Sequence, residues 1–145
     1  MPKKSTRPHL TETETFFDKI VKNFWDGAKP NLNIDFCETG IINSVLKSKL
    51  TKNINKIIKD YKIFKIGKTG DPYIRSDKKD YRNGYNHMFI IYKSTSEKNI
   101  SAIEEEYIEK FMNLEPNKIQ NKRINAPGKK MQSYDGYYYL YLVTN

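Results

Sequence analysis

Residues 62–75 read KIFKIGKTGDPYIR, and the way this stretch folds decides how the rest of the chain is interpreted. Bulky side chains alternate from Tyr61 onward, with Tyr61 and Lys65 on one face of an extended strand and Phe64 and Ile66 on the other. Because both faces carry bulk, the pattern predicts a strand in the middle of a sheet.

The letters GKT at positions 67–69 match the end of the phosphate-binding loop GxxxxGK[ST] of nucleoside triphosphatases. The first glycine of that loop falls on Lys62, which lies in the predicted strand and cannot turn the chain around a phosphate. The pair DP at positions 71–72 is typical of a helix N-cap and its first turn, so a new short helix carrying Arg75 is predicted there. A nucleoside triphosphate is therefore not expected as a ligand.

The charge of the chain favours a polyanionic partner, because the formal net charge is +9. Residues 41–70 hold eight lysines and one acid, and residues 116–133 hold five basic residues and no acid. This excess permits nucleic-acid binding, although a Lys-, Asn- and Ile-rich composition with solvated surface lysines would give the same charge. The candidate DNA contacts are Lys49, Lys52, Lys56, Lys68, Lys122, Arg123, Lys129 and Lys130.

The chain is divided by composition into an arm, a helical extension and a domain. Residues 1–10 are basic and proline-containing and predict a disordered arm, and residues 11–59 predict an N-terminal helical extension of two amphipathic helices. Residues 28–38 predict a loop between those helices. Residues 60–145 then read strand, helix, strand, helix, strand, with the later strands at 88–93 and 136–143 and the long helix starting at Asn99 or Ser101. The predicted fold class is α+β, with a small, mostly antiparallel three-stranded sheet flanked by helices.

Several classes of protein do not fit the sequence. Cys37 is the single cysteine, which excludes an internal disulfide and a multi-cysteine zinc site. No apolar stretch approaches the roughly 20 residues that a membrane-spanning helix needs, so no membrane partner is expected. The sequence start lacks the apolar middle of a secretory signal, and an intracellular location, in cytoplasm or nucleus, is expected.

The strand ending in KIG, followed by KT and a helix-borne arginine, resembles the second half of the GIY-YIG nuclease motif. The likeness is to a branch with KIG in place of YIG that is seen in phages and large DNA viruses. It continues downstream through the strand MFIIYK, a helix with Ala102, Glu104 and the pair Tyr107-Ile108, and a loop containing asparagine and glycine. The match covers about residues 61–145.

The resemblance implies a set of catalytic roles. Glu104 would be the protein ligand of Mg²⁺ or Mn²⁺, and Arg75 and Lys65 would bind the phosphate of the scissile bond. Asn121 corresponds to the late asparagine of the family, with Asn125 as a competing position. The implied reaction is metal-dependent hydrolysis of a DNA phosphodiester bond by an endonuclease.

The sequence departs from the family at the first strand, which should carry a tyrosine about ten residues before KIG. The residues there read KNINK and predict a helix. The general base is then Tyr61, a tyrosine of residues 137–141 in a last strand that reads much like a displaced GIY strand, or missing. If it is missing, the protein is a catalytically silent nucleic-acid-binding or regulatory module with the same fold. A purely structural interaction protein would bind no DNA even at low salt.

Overall fold

The computed structural model describes residues 29–78, 81, 84–122 and 131–145. The predicted basic arm at 1–10 and the predicted helix at 11–27 lie outside the described residues. The elements run, in chain order, as follows: β1 (Asn31–Asn33), α1 (Ser44–Ile58), β2 (Phe64–Thr69), α2 (Pro72–Ser76), β3 (His87–Ser94), α3 (Glu97–Leu114) and β4 (Tyr138–Thr144). No helix of this described part is long and apolar enough to cross a membrane.

Each helix begins where a side chain satisfies free backbone N–H groups. The side chain of Asn43 accepts from Leu46 N at the start of α1. Asp71 accepts from the backbone of residues 73 and 74 ahead of Pro72, which confirms the helix predicted there. Ser96 caps α3, so the long helix begins at Glu97, slightly earlier than the sequence predicts.

The sheet has four strands in the order β1-β3-β4-β2 and is mixed, so the fold class α+β is confirmed and the expected three-stranded sheet is wrong. β2 and β3 each pair antiparallel with β4, as a mostly antiparallel sheet requires. The added strand is β1, which lies within the segment 28–38 predicted as a loop. It pairs parallel with β3. Its sequence, NLN, has low strand propensity, so pairing with β3 decides its conformation.

β2 lies at the edge of the sheet rather than in its middle, which corrects the expectation of a central strand. A short segment covers its outer edge: Phe64 N donates to Lys118 O at 3.0 Å, and Gln120 N donates to Phe64 O at 2.8 Å. Residues of α1 and α3 pack on one face of β2 with Phe64 and Ile66, and the ring of Tyr81 lies beside Lys65 on the other face. β2 is therefore buried like an internal strand although only one strand pairs with it.

The two faces of the sheet carry separate apolar clusters. The larger cluster joins α1 and α3 to one face, with Leu50, Ile54, Phe64 and Phe111 fully buried. β1 and α1 belong to the same sheet and core as the later elements, so the packing shows no break at the predicted domain boundary at residue 60.

The smaller cluster lies on the opposite face and is rich in tyrosine. It contains Tyr81, Met88, Ile90, Tyr141 and Val143. The alternation of β2 assigns Lys65 and Gly67 to this smaller face and Lys68 to the helix-covered face.

Gly67 allows β4 to lie close against β2. A Cβ at this position would overlap the ring and hydroxyl of Tyr141, the residue opposite Gly67 in the β2–β4 register.

We expect Gly67→Ala to lower the free energy of unfolding by about 1–3 kcal/mol, as overpacking of a core does. Without the contact, alanine would stabilise a strand relative to glycine.

Chemical denaturation of a double-mutant cycle with Tyr141→Ala measures this contact. The cost of Gly67→Ala should shrink or reverse when the tyrosine ring is absent. An equal cost in both backgrounds would show that another contact is responsible.

Candidate active site

The candidate site is built around Tyr141, whose ring crosses β2 at Gly67. Tyr141 is only 2% exposed. Its position follows from the antiparallel register, in which Gly67 faces Tyr141 and Lys65 faces Val143. Gly67, the glycine of KIG, therefore leaves the space in which the Tyr141 ring and hydroxyl pack against β2.

Arg75 reaches this hydroxyl from α2. Its Nε donates a hydrogen bond to Tyr141 Oη at 3.1 Å. The guanidinium carbon lies 4.2 Å from the ring centroid of Tyr81, within the range of a cation–π interaction. Because Asp71 caps α2 immediately after β2, the arginine projects from a helix whose start is tied to the strand.

Tyr81 completes a group of three side chains, which we call the tyrosine–arginine cluster: Arg75, Tyr81 and Tyr141. The hydroxyls of Tyr81 and Tyr141 share a hydrogen bond of 2.7 Å. Lys65, partly buried on the same face, places its Nζ 5.5 Å from the Tyr81 ring centroid. The structure thus brings Lys65 and Arg75 to one group of side chains, as the resemblance implies.

Burial is the main influence on the Tyr141 hydroxyl. It raises the pKa of Tyr141 above the ordinary tyrosine value. The charge of Arg75 and the hydrogen bonds from Tyr81 and Arg75 oppose this rise in pKa, and the charge of Glu104 adds to it. Tyr141 is consequently protonated at neutral pH, with a cationic donor held against its oxygen.

Glu104 is the one residue of the run 104–106 that turns toward the sheet. Its side chain is 19% exposed, and its Oε1 lies 3.7 Å from the Nζ of Lys68 on β2. Glu105 is exposed, and Glu106 pairs instead with Lys47 of α1 at 3.1 Å. The three consecutive glutamates therefore differ in environment, and Glu104 is the one that the resemblance implies as a metal ligand.

The Glu104 carboxylate is electrostatically linked to the tyrosine–arginine cluster. Burial raises the pKa of Glu104, and the nearby ammonium of Lys68 lowers it in part. The charge of Glu104 also contributes to the raised pKa of Tyr141, but less than burial does and less than Arg75 and Tyr81 oppose it.

The donor set suits a hydrated hard cation. Mg²⁺ in proteins commonly uses one or two carboxylates and completes its shell with water and substrate phosphate. Glu104 provides such a carboxylate, partly exposed and beside the sheet. Among the described residues no group of three or more His, Cys, Asp or Glu side chains is placed so that it could hold a metal ion.

Tyr61 does not join the cluster. Its ring packs on His87, with centroids 5.3 Å apart, and on Phe89, at 6.2 Å, on the helix-covered face. Tyr61 N donates to Ile58 O at 3.2 Å, which continues the end of α1, and β2 begins only at Phe64. The expectation that Tyr61 shares a strand face with Lys65 is therefore wrong.

Asn121 has a defined place beside β2. It accepts from Ile66 N at 2.8 Å through Oδ1 and donates to Ile66 O at 2.8 Å through Nδ2. Both hydrogen bonds hold the outer edge of the strand that carries Lys65 and Gly67. The side chain thus supports the site through β2 and does not reach the tyrosine–arginine cluster with its amide. The competing Asn125 lies outside the described residues.

The predicted DNA-contacting residues fall into three groups. Lys49, Lys52 and Lys56 form an exposed stripe on α1, and Lys122 is also exposed. Lys68 is partly buried and is engaged with α3. Arg123, Lys129 and Lys130 lie outside the described residues.

Sequence reasoning assigned no role to Tyr81 and left Tyr141 as one of several candidates. Tyr81 lies between elements, where no periodicity assigns a face. The strand pattern places Tyr137, Tyr139 and Tyr141 on a common face, but only the β2–β4 register distinguishes Tyr141.

Comparisons of the chain with protein-family models, with curated proteins and with solved structures found no match.

Removal of the Asn121 amide tests its role at the strand edge. Asn121→Ala leaves the N–H and C=O of Ile66 without their partner, so we expect the free energy of unfolding to fall by about 1–3 kcal/mol. Asn113→Ala is the matched control, because Asn113 is exposed and bonds only to Glu109 O one turn earlier in α3. Equal urea midpoints for the two variants would contradict this role.

Proposed function

We propose that this protein is a metal-dependent endonuclease of the GIY-YIG type that hydrolyses phosphodiester bonds in DNA. The observation that carries the proposal is the hydrogen bond from Arg75 to Tyr141 beside the KIG strand. In this proposal β4 supplies the tyrosine that the family carries on its first strand. A sheet depends on spatial neighbours, and β4 lies antiparallel to β2 whatever its place in the chain.

Arg75 and Lys65 provide the charge that a phosphodiester requires. The planar guanidinium of Arg75 matches two phosphate oxygens, and its charge offsets the charge that develops on them in the transition state. Lys65 adds a second cation on the same face of the sheet. Arg75 lies on α2, whose start is capped by Asp71, and Lys65 lies on β2, which pairs with β4. These constraints on the backbone limit the rearrangement of both side chains during the reaction.

Tyr141 serves as the general base in its phenolate form. Its raised pKa makes the phenolate scarce at neutral pH, and also makes each phenolate a stronger base toward water. Arg75 stabilises the phenolate through the hydrogen bond to its oxygen. Glu104 is the residue that would hold the Mg²⁺ or Mn²⁺ ion, which supplies Lewis-acid stabilisation of phosphate charge when bound. Because Glu104 lies on the helix-covered side of the edge strand β2, the phosphodiester would have to pass the outer edge of β2 beside Lys68 to meet both the ion and Arg75.

DNA binding is assigned to the exposed lysines of α1 and to Lys122. Cations on a surface attract DNA largely through its phosphates, without sequence preference, so affinity should fall steeply as salt is raised. This surface would bring the backbone of DNA to the protein, and Arg75 and Lys65 would bind the reacting phosphate.

A second candidate function is a nucleic-acid-binding module that does not cleave. The burial of Tyr141 favours it, because the residue is 2% exposed and hydrogen-bonds to a second buried tyrosine. A water molecule and a phosphate must reach Tyr141 for cleavage, whereas binding through surface lysines requires no such access.

Cleavage of plasmid DNA with Mg²⁺ or Mn²⁺ separates the two functions. We expect nicking or linearisation by the unmodified protein and a loss of about 100-fold or more in Glu104→Gln, because charge stabilisation in the transition state is removed. Glu105→Gln is the matched control, since Glu105 is the exposed neighbour on the same helix.

The readout is the rate of plasmid conversion on gels, with DNA affinity measured separately by anisotropy. Salt-dependent binding without cutting by any variant would support the non-cleaving module. Equal cutting by Glu104→Gln and Glu105→Gln would remove Glu104 from the mechanism.

The pH dependence of cleavage tests Tyr141 as the base. Below the pKa of Tyr141 the phenolate fraction rises tenfold per pH unit, so we expect the rate to rise by about one log unit per pH unit from about pH 7 to pH 9. Tyr141→Phe should lose about 100-fold in rate and this slope with it. Tyr139→Phe, two residues away on the same strand face, should keep the slope. An unchanged slope in Tyr141→Phe would exclude it as the base.

A further inference from the structure

Lys68 forms an ion pair with Glu104, the carboxylate that the proposed function assigns to a metal ion. Its Nζ donates a hydrogen bond to Ser101 Oγ at 2.9 Å and lies 3.7 Å from Glu104 Oε1. The lysine comes from β2 and both partners come from α3, so the ammonium sits between the sheet and the helix. Its side chain is 24% exposed, which leaves it in contact with solvent.

Lys68 and Glu104 form an ion pair that is longer than a charge-assisted hydrogen bond. Charge-assisted N–H···O bonds between ammonium and carboxylate are usually about 2.7–2.9 Å long, and the Lys68–Glu104 separation of 3.7 Å exceeds this. The close hydrogen bond of Lys68 is the one to the neutral Ser101. A lysine has a flexible four-carbon stem, so its ammonium can leave Glu104 without movement of the strand.

A divalent cation and the Lys68 ammonium compete for the same carboxylate. Two cations beside one partly buried carboxylate repel each other, and the repulsion is weakly screened where water is limited. The phosphates of DNA offer Lys68 an alternative anion. Lys68 lies on the edge strand of the sheet, and its side chain is 24% exposed, so a DNA phosphate that reaches this edge can contact its ammonium.

We propose that Lys68 is an internal counter-ion of Glu104 that leaves the carboxylate when DNA phosphate binds, so that metal and DNA bind cooperatively. The inference rests on the proposed function, since it takes Glu104 as the metal ligand. Before DNA arrives, Lys68 lowers the affinity of Glu104 for a divalent cation. Once DNA is bound, the same ammonium neutralises phosphate and Glu104 is available to the ion.

Mn²⁺ binding to the intact chain tests the proposal without any measurement of activity. Electron paramagnetic resonance counts free Mn²⁺ in titrations of the protein alone and with a phosphorothioate duplex that resists hydrolysis, each corrected for Mn²⁺ bound by the duplex. We expect DNA to tighten Mn²⁺ binding about 10-fold in the unmodified protein, a typical coupling between two sites.

The variants remove the ammonium in two ways. Lys68→Met deletes both charge and hydrogen bond, and Lys68→Gln deletes the charge but keeps a donor for Ser101. Each should bind Mn²⁺ about 10-fold more tightly than the unmodified protein without DNA, and DNA should then add little. Lys98→Met is the charge-matched control, because Lys98 is exposed in the first turn of α3, and it should behave like the unmodified protein.

The outcomes separate this inference from the proposed function. If Glu104→Gln abolishes Mn²⁺ binding but both Lys68 variants bind like the unmodified protein, the metal ligand stands and the counter-ion role is overturned. If Glu104→Gln binds Mn²⁺ normally, the proposed metal ligand fails and the counter-ion role fails with it. Weaker Mn²⁺ binding in both Lys68 variants, with folding confirmed by circular dichroism, would also overturn the proposal.

Discussion

The contact between the Tyr141 ring and Gly67 is the constraint on which the site depends. A ring can lie across a neighbouring strand only where that strand has no side chain, and Gly67 meets this condition opposite Tyr141. A slip of one residue in the register would turn Tyr141 to the helix-covered face. The same contact therefore fixes the pairing of β2 with β4 and places a phenol hydroxyl within reach of Arg75.

β2 connects the two halves of the proposed site because its side chains alternate between faces. Lys65 and Gly67 face the tyrosine–arginine cluster, and Lys68 faces α3 and Glu104. Gly67 and Lys68 are neighbours on this strand, so the two groups of side chains are joined through its backbone. In the proposed enzyme, phosphate binding and metal binding would be coupled through this one strand.

Local signals predicted most of the elements and part of the site. Amphipathic periodicity predicted α1 and α3, the DP pair predicted α2, and the resemblance singled out Glu104 from the run 104–106. These features depend on residues within a few positions of one another. The strand pattern failed at Tyr61, because a turn that follows the last residue of α1, Ile58, extends to Tyr61 and β2 begins only at Phe64. It also failed at β1, whose three residues form a strand only because β3 offers an edge.

The sequence by itself determined the basic charge, the start of α2, the alternation of β2 and the candidate residues Lys65, Arg75 and Glu104. Tertiary structure decided which tyrosine meets them, that Asn121 holds the edge of β2, and that Lys68 stands beside Glu104. The physical reason is distance along the chain. Tyr141 and Arg75 are separated by 66 positions, and strand register and packing, which no local pattern encodes, bring their side chains to a single hydrogen bond.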